Sequence, residues 1–216
     1  MKNIVKDTVI LLLITLISGV ALGAVYNVTK QPRAKQEELA ENQAYKNVFP
    51  EAVSFEEYSD LGDDIGEFIT DMDKKTKEKD ENNSNKDINA KIDSVVTALD
   101  KDGKSIGYVI TVTDSEAYGG DIRFTVGISN EKVIKGISFL SIKETPGLGM
   151  RADEDEFKNQ FKNKSVDYVK YTKSGASSDN DIDALSGATI TSNAVTNGVN
   201  AAIYCFYYIT GGKADE

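Results

Sequence analysis

The sequence predicts an α+β fold, with a small, mainly antiparallel sheet flanked by helices and preceded by a single N-terminal transmembrane helix. Three observations predict it: an uncharged apolar run near the N-terminus, several β-branched segments separated by turn residues, and a final segment with apolar residues at helical spacing. The chain has 216 residues. That length suits one folded domain with appendages.

The apolar run occupies residues 8–28 and reads TVILLLITLISGVALGAVYNV. A helix needs about 20 such residues to cross the hydrocarbon core of a bilayer. A cleaved signal peptide is the alternative, because Lys2 and Lys6 precede the run and ALGA offers small residues for cleavage. The run is longer than a typical signal core, so we predict a retained anchor behind a tail at 1–7. Basic residues flank both sides and leave its orientation open.

Residues 29–90 form the predicted connection between the membrane and the folded domain. The polar segment 31–49 has weak helical periodicity and predicts a stalk helix that leads to Pro50. The segment 73–90 is rich in Lys, Asp, Glu and Asn and shows no apolar face. This composition is typical of a mobile loop or insertion.

The remaining residues, 91–216, carry the pattern of one folded domain. Two β-branched runs surround the turn sequence DKDGK within 91–113, which predicts a hairpin. Alternating or continuous apolar residues predict further strands at 121–129 and 133–144, separated by the turn SNEK. A shorter segment at 166–172 predicts another strand.

Two helices are predicted in the same domain. The segment 154–162 predicts a short helix, with Phe157 and Phe161 one turn apart and facing the sheet. The final helix should end before Gly211 and Gly212. Its apolar residues recur at helical spacing: Val195, Val199, Ala202, Ile203, Phe206 and Ile209.

Composition excludes several kinds of chemistry. The chain has no histidine, which removes the commonest general base and the Ser-His-Asp type of nucleophile. Its one cysteine, Cys205, allows no internal disulfide or multi-cysteine cluster and is interpreted as a small core residue. A net charge of -10 without a basic stripe argues against nucleic-acid binding. The acidic runs 71–87 and 153–156 are interpreted as solvated surface, so no metal site and no catalytic residue is assigned.

A hydroxyl-rich turn, SGATITSN at 186–193, precedes the final helix. Thr191 or Ser192 could cap that helix by accepting a hydrogen bond from a free backbone amide. The other interpretation is a phosphate-bearing ligand, because a helix N-terminus offers unpaired amides and Gly187 with Ala188 leaves the backbone accessible. The chain contains no GxxxxGK and no dinucleotide-binding glycine pattern, which argues against a nucleoside triphosphate.

Two motifs occur in an order that is known from one family. The segment ETPGLGMRA spans 144–152, after a strand segment at 118–128. The pattern D-x-x-S-G-A-T is matched later in the chain by Asp183, Ser186, Gly187, Ala188 and Thr189. Together they resemble the FMN-binding domain shared by the G subunit of the Rnf electron transport complex and the C subunit of the Na⁺-translocating NADH:quinone reductase. The resemblance covers residues 90–210.

The resemblance implies that Thr189 carries FMN through a phosphoester bond. An unassisted threonine hydroxyl is a poor nucleophile and the chain lacks histidine, so an external enzyme should form this bond. In the family this enzyme is a Mg²⁺-dependent flavin transferase that uses FAD as donor outside the cytoplasm. The resemblance therefore implies a single-pass cell-membrane protein with its N-terminus in the cytoplasm and the domain at 91–216 outside it.

The same resemblance assigns roles to the ETPGLG segment. It implies that Thr145 and Leu148 contact the isoalloxazine ring, while Gly147 and Gly149 let the backbone approach closely. An ordinary turn at Pro146 would explain this segment if it stood alone.

Three further residues receive weaker assignments. Glu144 and Arg151 are expected to orient the ETPGLG segment. Tyr118 is either a second neighbour of the ring or a strand-edge aromatic, and we favour the strand-edge interpretation.

The function that the resemblance implies is electron relay in an Rnf-type ferredoxin:NAD⁺ oxidoreductase coupled to ion translocation. The partners would be the other subunits of that complex, and the chain would have no catalytic activity by itself. One alternative is the C subunit of the Na⁺-translocating quinone reductase. Others are a stand-alone, membrane-tethered flavin carrier for extracellular electron transfer and a ligand-sensing domain on an anchor.

Overall fold

The computed structural model of the protein describes the backbone of residues 2–211 and the side chains of residues 4–211. It contains two compact units, which divide after Asn42. Gly212 lies outside the described residues, as do the start of the tail predicted at 1–7 and the end of the domain predicted at 91–216.

The first unit consists of the greater part of helix α1 (Lys2–Val48). One continuous helix therefore includes the described part of the predicted tail, the predicted span and the predicted stalk as far as Val48. Its apolar side chains between residues 4 and 28 are exposed, and the hydroxyls of Thr8, Thr15 and Thr29 donate to carbonyls one turn earlier. Within the described residues, α1 is the one helix with the length and composition of a membrane span, a test that a signal sequence also passes.

The second unit is built on a five-stranded antiparallel sheet, with its strands in the order β1-β2-β3-β4-β5. The predicted hairpin and the two strands after it are confirmed, whereas β1 was not predicted. The strands are β1 (Ser54–Glu57), β2 (Lys91–Leu99), β3 (Ser105–Asp114), β4 (Ile122–Ser129) and β5 (Ile134–Ser141).

Helix α4 (Thr189–Thr210) covers one face of this sheet. Its apolar residues pack against Ile110, Val112 and Phe124 of the strands, as expected from a period of two along a strand. Cys205 is fully buried, and burial raises the pKa of its thiol to about 12, which confirms it as a core residue. The helix ends at Gly211, whose φ of 64° is in the left-handed region that glycine adopts readily.

The opposite face of the sheet is covered within the second unit by the last turn of α1 and the residues after it. Val48 and Phe49 are buried there, against two glycines of the sheet. A Cβ at Gly127 would lie 2.9 Å from Val48 Cβ, and one at Gly107 would lie 2.6 Å from Phe49 Cζ. Glycine at these positions makes room for the two side chains.

The prediction of a polar loop over 73–90 is wrong at its start, because helix α2 (Ile65–Lys79) extends into it. Ile69 and Met72 are buried against the core, so the helix has an apolar face that begins before the polar run. Two polar residues of the run itself, Asp73 and Thr76, are also buried in this helix.

The coil that follows α2 is held by asparagine side chains. Asn85 donates to the Val169 carbonyl at 3.1 Å, and Asn193 accepts from the Lys86 amide at 2.9 Å. Asn197 donates to the carbonyls of Lys86 and Asp87. These bonds fix the coil against α4, although its composition resembled that of a solvated loop.

Helix α3 (Asp155–Lys158) and a 3-10 turn, Asn159–Phe161, replace the single helix predicted at 154–162. Phe157 and Phe161 are both buried in the core, as predicted.

The strand predicted at 166–172 is present but does not join the main sheet. Strand β6 (Lys170–Thr172) pairs in parallel with β7 (Asp181–Asp183) to form a separate two-stranded sheet. Strand β7 leads directly into the hydroxyl-rich turn before α4.

Candidate functional site

A cleft of about 520 Å³ opens where three segments meet: the loop between β3 and β4, the segment after β5, and the turn that begins α4. The two motifs from the sequence contribute most of its walls. The lining residues are Tyr118, then Glu144, Thr145, Leu148 and Gly149, then residues 187–191.

The two motifs touch each other at Gly187 and Leu148. Gly187 has a φ of 76°, and a Cβ at this position would lie 3.1 Å from Leu148 Cδ2. Leu148 is 42% exposed, so its side chain rests on the glycine with one side open to the cleft. A residue with a side chain at 187 would be strained and would displace the leucine.

A second close approach involves Gly149. A Cβ at this position would lie 2.6 Å from Thr191 Oγ1 and 2.8 Å from Glu144 Cβ. Gly149 therefore allows the ETPGLG segment to pack directly on the first turn of α4.

Glu144 joins the ETPGLG segment to the β3–β4 loop. Its side chain is buried, and its Oε1 accepts a hydrogen bond from the Gly119 amide at 3.0 Å. Arg151, the other residue expected to orient this segment, instead faces Glu154 at 3.6 Å and Glu156 at 3.9 Å. It lines a neighbouring depression and not the cleft.

The β3–β4 loop begins at a buried carboxyl group. Asp114 Oδ1 accepts from the Glu116 amide at 2.8 Å, whereas Oδ2 has no partner among the described residues. Burial raises the pKa of Asp114 to about 6, and the nearby carboxylates of Glu116 and Asp121 add to the increase. This end of the loop therefore changes charge near pH 6.

Tyr118 lies in that loop and not in a strand, so the strand-edge interpretation is wrong. Its side chain is 72% exposed and lines the cleft.

Helix α4 begins at Thr189, with Ala188 as its N-cap and no capping bond from a side chain. The prediction that Thr191 or Ser192 caps the helix is therefore wrong, because both lie inside it. Ser192 Oγ accepts from the Leu185 amide at 2.9 Å and donates to the Ala188 carbonyl at 3.0 Å. It ties the turn to the helix from within.

The first turn of α4 leaves donors facing the cleft. The first helical backbone bond runs from the Ser192 amide to the Ala188 carbonyl at 3.0 Å, and the amides of 189–191 bond to no described residue. Thr189 is half-buried and Ile190 is 45% exposed. A helix N-terminus with free amides is an anion-binding site, since the positive end of the helix dipole adds to the donors.

Three of the predicted site residues do not line the cleft. Asp183 Oδ1 accepts from the Ala176 amide at 2.5 Å, and Asp183 and Ser186 border the neighbouring depression of about 190 Å³. Gly147 is exposed, with a φ of 76° in its turn. Conversely, Ile190 and Thr191 line the cleft but were not predicted from the sequence as ligand contacts, although their place beside SGAT was a usable signal.

The chain is similar to known proteins over the residues that form this cleft. Residues 117–204 match the family described as the FMN-binding domain, and this range includes every residue of the cleft wall. Over a longer stretch, 197 residues, the chain is 33% identical to the G subunit of the proton-translocating ferredoxin:NAD⁺ oxidoreductase complex of Clostridium ljungdahlii. That match covers 91% of this chain and 88% of the relative. The chain belongs to the family of Rnf complex G subunits.

Other relatives carry similar names. The G subunit of the ion-translocating oxidoreductase complex of Methanosarcina acetivorans is 27% identical, with 94% of both chains covered. The G subunit of the Na⁺-translocating ferredoxin:NAD⁺ oxidoreductase complex of Acetobacterium woodii is 37% identical over 107 residues, which are 48% of this chain and 51% of the relative.

Two solved structures are also similar. The C subunit of the Na⁺-translocating NADH-quinone reductase from Parabacteroides distasonis is 25% identical, with a TM-score of 0.42 over 57% of this chain and 64% of that one. NqrC from Shewanella oneidensis is 16% identical, with a TM-score of 0.48 over 78% of this chain and 88% of that one. The fold class rests on the strand order and helices of the chain itself.

Proposed function

We propose that this chain carries FMN in the cleft, joined to Thr189 by a phosphoester bond, and relays electrons within an Rnf-type ion-translocating ferredoxin:NAD⁺ oxidoreductase. The observation that supports it most is the meeting of the SGAT and ETPGLG segments in one cleft at the start of α4. Neither segment would form a site alone, since each is an ordinary turn by composition.

The phosphate end of FMN fits the first turn of α4. A phosphodiester keeps one negative charge, and the free amides of 189–191 can donate to it. Thr189 is the first residue of the helix, so its hydroxyl stands beside these amides.

The ring end of FMN fits the apolar rim of the cleft. Tyr118, Leu148 and Ile190 are large apolar residues that stay exposed here, whereas Val53 is the only other described one in the second unit. A volume of about 520 Å³ is within the range of small-molecule sites. When bound, the flavin supplies the redox chemistry, while this chain supplies its position.

Attachment requires help from outside the chain. The Thr189 hydroxyl must lose its proton as its oxygen bonds to the phosphorus of FAD and the bond to AMP breaks. The chain has no histidine to accept that proton. We therefore propose a Mg²⁺-dependent flavin transferase as the maturation partner, with FAD as its second substrate.

We place the cleft outside the cytoplasm, with α1 as a retained membrane anchor and the N-terminus inside. The domain boundaries predicted from the sequence, 8–28 for the span and 91–216 for the flavin domain, remain proposals. The compact second unit is larger than the proposed domain, because it also includes the end of α1, β1 and α2.

Substitution of Thr189 tests the attachment. In cells that also produce the transferase, Thr189→Val should carry no covalent flavin, because the ester oxygen is missing, and Thr189→Ser should keep it. The measurement is flavin fluorescence after denaturing electrophoresis together with intact mass. Thr196→Val, on the same helix but away from the cleft walls, is the matched control and should be labelled as the wild type is. Covalent flavin on Thr189→Val would refute the site.

Purification from native membranes tests the assembly. Co-purification of integral membrane subunits with the flavin-labelled chain would support the Rnf assignment. A flavin-labelled chain that purifies alone under mild detergent would favour the stand-alone carrier, and quinone reductase partners would favour the C subunit.

A further inference from the structure

Thr191 is a buried polar residue in the cleft wall whose hydroxyl has no described partner. The residue is 1% exposed and lines the cleft. Two hydroxyls near it on α4 are satisfied within the protein, since Ser192 donates to the Ala188 carbonyl and Thr196 to the Ser192 carbonyl, both at 3.0 Å. The hydroxyl of Thr189, the proposed attachment point, also bonds to no described residue. Thr191 thus differs from Ser192 and Thr196.

The hydroxyl of Thr191 is not enclosed in the core. Among the described residues, the fully buried side-chain atoms that have no hydrogen-bond partner belong to Ser105, Thr111, Asp114 and Asn197. Thr191 Oγ1 is not among them, although no described residue bonds to it. Its oxygen is therefore accessible from the cleft, and a buried donor without a partner there favours a ligand that can accept a hydrogen bond.

We propose that Thr191 donates a hydrogen bond from its hydroxyl to the phosphate of the flavin cofactor and so positions that phosphate beside Thr189. This inference rests on the proposed function. It adds a side-chain donor to the free amides of 189–191, at a helix N-terminus that already favours an anion.

The surroundings of Thr191 make such a donor useful. Thr191 Oγ1 and the Glu144 side chain both lie close to Gly149, because a Cβ there would be 2.6 Å from the hydroxyl and would also meet the carboxylate. Glu144 carries the same sign of charge as a phosphate and lines the same cleft. A neutral hydroxyl donor offsets this repulsion without adding a cation that would pair with Glu144 instead.

This arrangement has a consequence that does not depend on covalent attachment. The phosphate contact exists before the ester forms, so the flavin-free chain should bind FMN more tightly than riboflavin, which has the same ring but no phosphate. Riboflavin binding reports the ring end of the cleft, and the ratio of the two affinities reports the phosphate end.

The experiment uses the full chain in detergent, produced without flavin transferase and titrated with FMN and with riboflavin by flavin fluorescence. Wild-type protein should prefer FMN. In Thr191→Val this preference should fall about 10-fold, the effect expected for one hydrogen bond to a charged group, while riboflavin affinity stays unchanged. Unchanged riboflavin affinity also shows that the variant is folded.

Two control variants complete the test. Thr191→Ser keeps the hydroxyl and should keep the FMN preference, and Thr196→Val removes a hydroxyl that is already bonded inside α4 and should not alter it. A Thr191→Val chain with the wild-type FMN preference would overturn the inference, as would a wild-type chain that binds both flavins equally. The latter result would leave ring binding and attachment at Thr189 intact, whereas failure of both flavins to bind would count against the proposed function itself.

Discussion

The first turn of α4 and the remainder of the same helix differ in how their polar groups are hydrogen-bonded. From Asn193 onward, side-chain amides and hydroxyls bond to backbone groups of neighbouring segments or of the helix itself, or, for Tyr204, to the hydroxyl of Thr76. Among the fully buried side-chain atoms of this part, Asn197 Oδ1 is the one without a described partner. In the first turn, by contrast, the amides of 189–191 and the Thr191 hydroxyl have no described partner.

This difference separates groups that hold the fold from groups that are available to a ligand. Buried polar groups are nearly always paired in native proteins, so the cluster of donors without described partners on the wall of the cleft supports the proposal that a ligand binds there. The later part of α4 shows that this chain can satisfy such groups internally. The first turn does not satisfy all of its donors, and it begins at Thr189, the last residue of the SGAT motif.

The largest expected effect on stability comes from removing a hydrogen-bonded side chain in the later part of α4. Asn200 accepts from the Val169 amide at 2.7 Å and donates to the Val169 carbonyl at 2.8 Å. Asn200→Ala leaves these buried groups short of partners and should lower the free energy of unfolding by about 2–4 kcal/mol. Urea denaturation followed by circular dichroism measures this.

The exposed Asn82 provides the control, because no described residue bonds to its side chain. Asn82→Ala should change the free energy of unfolding by less than about 0.5 kcal/mol. Equal losses for both asparagines would show that the bonds to Val169 are not important for stability.

A smaller effect should follow from filling the space between the two motifs. A Cβ at Gly149 would collide with Thr191 and Glu144, whereas a Cβ at Gly66 would meet nothing within 4 Å. Gly149→Ala should lower the free energy of unfolding by about 1–3 kcal/mol and reduce flavin labelling. Gly66→Ala, in helix α2, should raise it by about 0.5 kcal/mol. If Gly149→Ala matches Gly66→Ala in both measurements, the close approach of the motifs is not required.

The smallest effect compares two threonines of α4 in the flavin-free protein. Thr196→Val removes a hydroxyl that bonds to the carbonyls of Ser192 and Asn193, and it should cost about 1 kcal/mol of stability. Thr191→Val removes a hydroxyl without a described partner and should be neutral within about 0.5 kcal/mol. Thermal unfolding of the flavin-free variants distinguishes them, and a larger loss at Thr191 than at Thr196 would contradict the contrast within the helix.

The sheet and its hairpins were predictable because their signals are local. Turn residues separate β-branched runs, and each run needs only its own period of two to be recognised. Strand β1 was not predicted because only one of its four residues, Phe55, is partly buried and the other three are exposed, so no alternating pattern can be recognised. Helix α2 was misjudged for a related reason, since its apolar residues Ile69 and Met72 precede the polar run that dominated the composition.

The candidate site was also only partly predictable, because some of its residues belong to local motifs and others depend on contacts between distant segments. Thr189, Gly187 and Leu148 were found from short motifs and lie in one cleft. Asp183 belongs to the same motif but uses its carboxylate on the Ala176 amide, a bond that only the turn between β6 and β7 defines. Tyr118 reaches the cleft because Glu144 holds the Gly119 amide, and that bond joins residues far apart in the chain.

The sequence by itself determined the membrane-spanning composition of α1, the antiparallel sheet, the final helix and the two motifs, because each depends on residues that are neighbours along the chain. The tertiary structure alone decided that the motifs share one cleft, that asparagines of α4 hold the coil after α2, and that the amides of 189–191 have no partner among the described residues. The physical reason is that hydrogen-bond satisfaction depends on every group within reach in space, and the order of residues in the chain does not specify which distant groups those are.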